Sequence, residues 1–231
     1  MSDVTIEMKS PDLRRTLSGG NPARTPGQEV ANAVTHGIGV LLSIAALVLL
    51  LVRAAATGDP WFVVSYAVFG SSMIFLYLAS TLYHSLSLTR VGRLFEVLDH
   101  AAIFVLIAGT YTAFALTLLR GSVGWWLFGA VWGIALVGIV MEAVFLNRWP
   151  AATLVAYVAM GWLIVLAWKP LRAAASPAAL NFLIAGGLSY TAGTFFYARG
   201  KRHAWYHAVW HLFVIAGTAC HFFSALAALP A

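Results

Sequence analysis

Ser80 and His84 lie four residues apart, as do His207 and His211, and Asp99 lies between the two pairs in the sequence. Four residues is about 400° of helix rotation, so on a helix each pair shares one face, one turn apart. Imidazole nitrogen is a good ligand for Zn²⁺, and catalytic zinc sites commonly use three protein ligands and a water. A carboxylate such as Asp99 could orient that water, accept its proton or ligate directly. A serine one turn from a ligand could hydrogen-bond the water or a substrate oxygen. The same residues could instead form a polar network that packs helices together, because interhelical hydrogen bonds are common in membranes. Spacing alone leaves both readings open.

The elements that must position these residues are transmembrane helices. Of 231 residues 61% are hydrophobic and only 10% charged, and the mean hydropathy is +0.85. A soluble domain carries about a quarter charged residues, so a soluble enzyme and a nucleic-acid binder are both excluded despite the net charge of +6. The single cysteine, Cys220, excludes an intrachain disulfide. Residues 1–28 are polar, lack the apolar core of a signal peptide and read as a disordered cytoplasmic tail. Residues 29–231 read as one transmembrane domain. Its apolar runs at 33–53, 61–83, 99–118, 125–146, 150–168, 178–198 and 207–228 are each about the length needed to cross hydrocarbon. The fold class is therefore all-α, a polytopic membrane protein of seven helices. Membrane β-strands would alternate, and these runs do not. Trp61, Trp125, Trp126, Trp149, Trp168 and Trp205 fall near span ends, as an interfacial aromatic belt requires.

Basic residues set the orientation. With the N-terminus inside, ten Lys and Arg are cytoplasmic: Lys9, Arg14, Arg15, Arg24, Arg90, Arg93, Arg148, Arg199, Lys201 and Arg202. Four are outside: Arg53, Arg120, Lys169 and Arg172. The positive-inside rule then predicts a cytoplasmic N-terminus and an outer C-terminus, in a plasma (inner) membrane. The end of span two and the starts of spans three and seven fall in one leaflet, which brings Ser80, His84, Asp99, His207 and His211 to one depth. Glu29, Asn32 and His36, spaced i, i+3, i+7, share a face at the start of span one. They could orient ligands or simply pack that helix end; packing is the simpler reading.

These residues also carry a resemblance. Glu29, Asn32 and His36 form Glu-x2-Asn-x3-His, and Ser80 and His84 form Ser-x3-His. Asp99-His100 heads an apolar run ending Gly109-Thr110-Tyr111-Thr112, and His207 and His211 form His-x3-His before Cys220-His221-Phe222. In this order the chain, from about Glu29 onward, resembles the hemolysin III branch of the progestin and adipoQ receptor family of seven-helix membrane proteins. The resemblance implies Zn²⁺ held by His84, His207 and His211, with Asp99 acting through a water and Ser80 close by. A wider superfamily includes alkaline ceramidases, which hydrolyse lipid amides. Two positions depart from the pattern: Ala113 stands where proline is usual, and Glu142 is an acid inside span four.

The remaining polar residues read as structural. His100 is 100° around the helix from Asp99 and reads as an interfacial hydrogen-bonder, His203 as solvated. His221 is 14 residues past His207, about 21 Å along the axis, too far to share the site; it reads as a buried hydrogen-bond partner with no opposed histidine to suit haem. Glu142 would pair most simply with Arg148. The expected function is a zinc-dependent hydrolase of lipid acyl amides or esters, with Asp99 as base and Ser80 as hydrogen-bond donor, and membrane lipids as partners. Two other classes stand beside it: a sensor or receptor whose zinc only clamps helices, and a cytolysin-like pore. A pore needs a polar stripe through several spans, whereas the sequence gathers polarity at one end.

Overall fold

A computed structural model describes residues 25–200, 203 and 205–230, all helical apart from the connections. Most of the expected tail lies outside these residues, as do Lys201 and Arg202 of the charge count. The helices are α1 (Pro26–Ala55), α2 (Pro60–Leu86), α3 (Gly92–Ala115), α4 (Ser122–Phe145), α5 (Pro150–Trp162), α6 (Trp168–Ala174), α7 (Pro177–Arg199) and α8 (Tyr206–Ala227). A 3₁₀ segment, Leu163–Ala167, joins α5 to α6, and together they make one span. With that span counted as one helix, the described residues form an all-α polytopic membrane protein of seven helices. Six are long and apolar enough to cross a bilayer. The seventh, α7, has the length but carries Gly186, Gly187, Ser189, Tyr190, Thr191, Gly193 and Thr194 in its middle.

Local chemistry sets the helix starts. Pro26, Pro60, Pro150 and Pro177 each stand at the first helical position, where a missing N–H costs nothing. Thr25 and Gln28 form a reciprocal capping box, Gln28 returning its side chain to the Thr25 N–H at 2.9 Å. This cap starts α1 seven residues before the expected span, and α3 likewise begins at Gly92. Asp99 therefore lies not at the start of its helix but about 10 Å inside it.

The fifth span departs most from expectation. A continuous helix over 150–168 ending at Lys169-Pro170 is instead interrupted, and Pro170 lies inside α6. Pro170 offers no N–H to the preceding turn and crowds it. The hydroxyl of Tyr111 enters the gap from α3, donating to Gly161 O at 2.9 Å and accepting from Ile164 N at 2.7 Å. An inserted side chain of this kind is a recognised cause of a helix break.

α1 to α4 pack in chain order, and α8 closes the bundle against α1 and α7. α3 is the central helix, 67% of its spanning window being buried against 17% for Pro150–Ala174. Tyrosine hydroxyls tie the centre: Tyr66 donates to Ala225 O at 2.6 Å, while Tyr77 and Tyr190 meet Thr218 Oγ1 at 2.8 and 2.7 Å. In a bilayer such bonds contribute about 0.6 kcal/mol each. They also show that polarity is not confined to one end of the bundle, as the sequence had suggested. At the end away from the histidines, Arg120 Nη1 meets Asp59 Oδ2 at 2.9 Å and joins two loops. The outer face of α1, including Val34, Leu41, Val48 and Val52, is left for lipid.

Candidate metal centre

His84 ends α2, and His207 and His211 open α8; α1 runs past both. One ring nitrogen from each of the three histidines lies within 4.8 Å of the other two. His84 and His211 are buried and His207 is half-buried. The Nε2 atoms of His84 and His207 are 3.3 Å apart, which is about the separation, ~3.3 Å, of two nitrogens on a tetrahedral ion with 2.0–2.1 Å bonds.

The surroundings decide which nitrogens are available. His84 Nδ1 donates to Glu29 Oε2 at 2.6 Å. Thr35 uses its own hydroxyl proton on Ala31 O and Asn32 O, at 2.8 and 2.9 Å. Its oxygen then accepts from His211 Nδ1 at 3.3 Å. With both Nδ1 atoms committed as donors, the Nε2 atoms of His84 and His211 are left as lone pairs. A single proton can join two such nitrogens, but it cannot serve three. A cation can, and a carboxylate or hydroxyl behind each imidazole is the usual support for a metal ligand. The residues present therefore fit a bound metal ion.

The other expected site residues fall around this group. His36 stacks on His211, ring centroids 3.6 Å apart and planes 9° from parallel, and meets Tyr77 edge-on. Asn32 is buried one turn earlier, and its amide finds no partner among the described residues. Ser80 Oγ is also buried and unpartnered there. Asp99 is buried, outside the three-histidine group, and makes no hydrogen bond to a described residue; it lines the same cavity as Ser80, His207 and His211. Thr35 was missed from the sequence. Its only signal was the three-residue step from Asn32, and a helical threonine normally satisfies just its own backbone.

One structural reading needs correction. Glu142 does not pair with Arg148, which stacks on Trp149 with its guanidinium 5.4 Å from the ring centroid. Glu142 Oε1 accepts from Thr153 Oγ1 at 2.7 Å, and Oε2 lies 3.4 Å from His100 Nδ1. The first turn of α5 packs beside α4, so Thr153 reaches the acid. His221 is near Leu183 O, at 3.3 Å, and so is a buried hydrogen-bonder apart from the three histidines, yet it lines the same cavity. His203 is exposed.

The cavity has a volume of about 390 Å³ and runs between α3, α5, α7 and α8. From His211 to His221 it descends about 15 Å along α8. Leu76, Ile103, Leu106, Ile107, Val158 and Val214 supply its apolar wall.

Residues 25–222 match the family described as Haemolysin-III related. The chain belongs to the haemolysin-III family. It is 48% identical over 199 residues to the hemolysin-3 homolog of Bacillus subtilis, covering 86% of this chain and 93% of the relative. With the hemolysin-3 of Bacillus cereus the identity is 46% over 199 residues, covering 86% and 90%. The human monocyte to macrophage differentiation factor is 24% identical over 215 residues, covering 91% of this chain and 88% of its own length. The matched region holds the whole histidine centre with Glu29, Thr35, Ser80 and Asp99. This haemolysin-III homologue is thus a multi-pass membrane protein whose His84, His207 and His211 could hold a metal.

Proposed function

We propose that this haemolysin-III homologue is a zinc-dependent hydrolase of lipid acyl amides or esters, set in the plasma membrane with its N-terminus in the cytoplasm. The observation that carries the reading is the placing of His207 and His211, two of the three clustered histidines, together with Asp99 and a Ser80 hydroxyl that has no partner among the described residues, on the wall of one largely apolar cavity. A site that only fastened helices would need neither Asp99 nor the cavity.

His84, His207 and His211 would hold the ion; when bound, zinc lowers the pKa of a water and polarises a carbonyl. Glu29 and Thr35 keep the His84 and His211 rings turned toward the ion site. The apolar wall holds the acyl chain and keeps bulk water from it. Asp99 takes the water's proton on its carboxylate and returns it to the leaving amine or alcohol as the acyl C–N or C–O bond breaks, proton transfers that contribute about 10²- to 10⁴-fold to such reactions. Ser80 Oγ donates to the acyl oxygen as charge gathers there. The ten-to-four division of basic residues favours the cytoplasmic leaflet for this site, where a lipid's carbonyl would meet it with the chain still in hydrocarbon.

The test incubates zinc-loaded protein in bilayers with labelled ceramides, acyl amides, esters and phospholipids, and follows free fatty acid. Release should exceed the metal-free control and vanish in Asp99→Asn while zinc content persists. No release across the panel refutes the hydrolase. One observation favours the second reading, a receptor with a structural ion: the histidines and their supports bind α1, α2 and α8 together. On that reading Asp99→Asn changes nothing, and metal removal loosens those three helices.

A further inference from the structure

α7 turns a polar face to the cavity. Gly187, Tyr190, Thr191 and Thr194 line it at spacings of i, i+3, i+4 and i+7, which make one stripe of a helix. Two more polar groups line the end remote from the metal centre. Thr110 lies about 16 Å beyond Asp99 on α3, and His221 about 15 Å beyond His211 on α8. Both also line a second cavity of about 80 Å³, so they stand where the two cavities meet. A plain saturated chain would need none of these groups.

The protons of these side chains are already committed. Thr110 donates to Leu106 O, Thr191 to Gly187 O and Thr194 to Thr191 O. Thr218 donates to Val214 O, so the Tyr190 hydroxyl donates to Thr218. His221 Nε2 donates to Leu183 O at 3.3 Å. No acid among the described residues pairs with His221, and a lone imidazolium is costly to bury. The ring is therefore neutral, with its one N–H at Nε2 and a lone pair at Nδ1. That Nδ1 is buried and has no partner among the described residues. A buried acceptor of this kind calls for a donor from outside the protein.

We propose that His221 is a chain subsite: its Nδ1 accepts a hydrogen bond from a hydroxyl carried partway along the bound acyl chain. The inference rests on the reading that the cavity takes an acyl lipid, and it names the kind of chain. An extended chain with C–C bonds of about 1.5 Å advances about 1.25 Å per carbon. With the carbonyl at the metal centre, about 15 Å of descent brings roughly the twelfth carbon beside His221. The neighbouring Thr110, Tyr190 and Thr191 offer acceptors only, so none of them competes with the hydroxyl as a donor.

The test compares stearate, 12-hydroxystearate and 17-hydroxystearate, which share one chain length and differ in the presence and place of the hydroxyl. Dissociation constants are read on full-length protein in nanodiscs, with and without zinc, from the fluorescence of Trp162 and Trp210, which line the cavity. Wild type should bind 12-hydroxystearate about two- to tenfold more tightly than the other two, as one added hydrogen bond predicts. His221→Phe should remove that preference and keep the affinity for stearate. The comparison of the two hydroxy isomers needs no variant and decides the matter if His221→Phe does not assemble. Equal binding of all three ligands, as when a water serves Nδ1, overturns the proposal, and so does a preference that survives in His221→Phe. Binding by none of them overturns it together with the acyl reading of the cavity. The readout needs neither turnover nor metal, so a failure of the hydrolase reading would show separately as absent fatty-acid release.

Discussion

Removing the support behind a histidine should weaken metal binding by an amount set by the bond removed. Glu29 Oε2 takes a 2.6 Å charge-assisted bond from His84 Nδ1, whereas Thr35 takes a 3.3 Å neutral one from His211. Bonds to charged groups are worth about 1.5–3 kcal/mol and neutral ones about 0.5–1.5. Glu29→Ala should therefore lower zinc affinity by about 10- to 100-fold, the range measured for such supporting residues. Glu29→Gln keeps an acceptor but loses the charge, and about 1 kcal/mol separates the two kinds of bond. Its loss should be about fivefold. Thr35→Val, at the long end of the neutral range, should cost about two- to threefold. Competition against a chelator of known affinity reads these losses in detergent-solubilised protein. The stabilisation that zinc adds to thermal unfolding should fall in the same order, by about 1.4 kcal/mol for each tenfold. If Glu29→Ala binds zinc as tightly as wild type, the carboxylate does not support a ligand and the tautomer assignment fails.

Other consequences are separately measurable. The double variant His207→Ala/His211→Ala should lose nearly all zinc by elemental analysis, and acidification should release zinc from wild type because protons compete for the ligand nitrogens. Tyr111→Phe leaves Gly161 O and Ile164 N without their bridge and should cost about 1–3 kcal/mol in thermal unfolding. Gly39→Ala places a Cβ 2.6 Å from the Tyr77 ring, which Thr218 holds, and should destabilise by about 1–3 kcal/mol. Side-specific reporters fused at Ser87 and at the C-terminus should report cytoplasmic and outer positions respectively; the reverse result refutes the orientation.

The histidine centre was legible because its spacing and its depth were both readable. Each i,i+4 pair fixed a helix face, and counting seven spans brought the pairs to one end. The starts of α1 and α3 were less readable, since a hydropathy run begins where lipid begins, whereas a helix can start in the polar residues before it. Thr25 and Pro26 put α1 a full two turns earlier than the apolar run. The break after Trp162 depends on a tyrosine from α3 as well as on Pro170, so residues 150–174 alone carry only part of its cause. Glu142 illustrates the same limit. Arg148 is the nearer partner in sequence, but Thr153 and His100 become its neighbours only when α3, α4 and α5 meet. The acid's place inside span four could be seen as unusual, while the imidazole it faces could not.

Zinc K-edge X-ray absorption on the zinc-loaded protein tests the central claim most directly. The account predicts one zinc per chain with three imidazole donors at about 2.0–2.1 Å, no sulfur donor, and a fourth light donor that an added hydroxamate displaces. The three-imidazole signature should be intact in Asp99→Asn and lost in His211→Ala. A spectrum with a sulfur donor, with fewer than three imidazoles, or with no change on adding hydroxamate would contradict it.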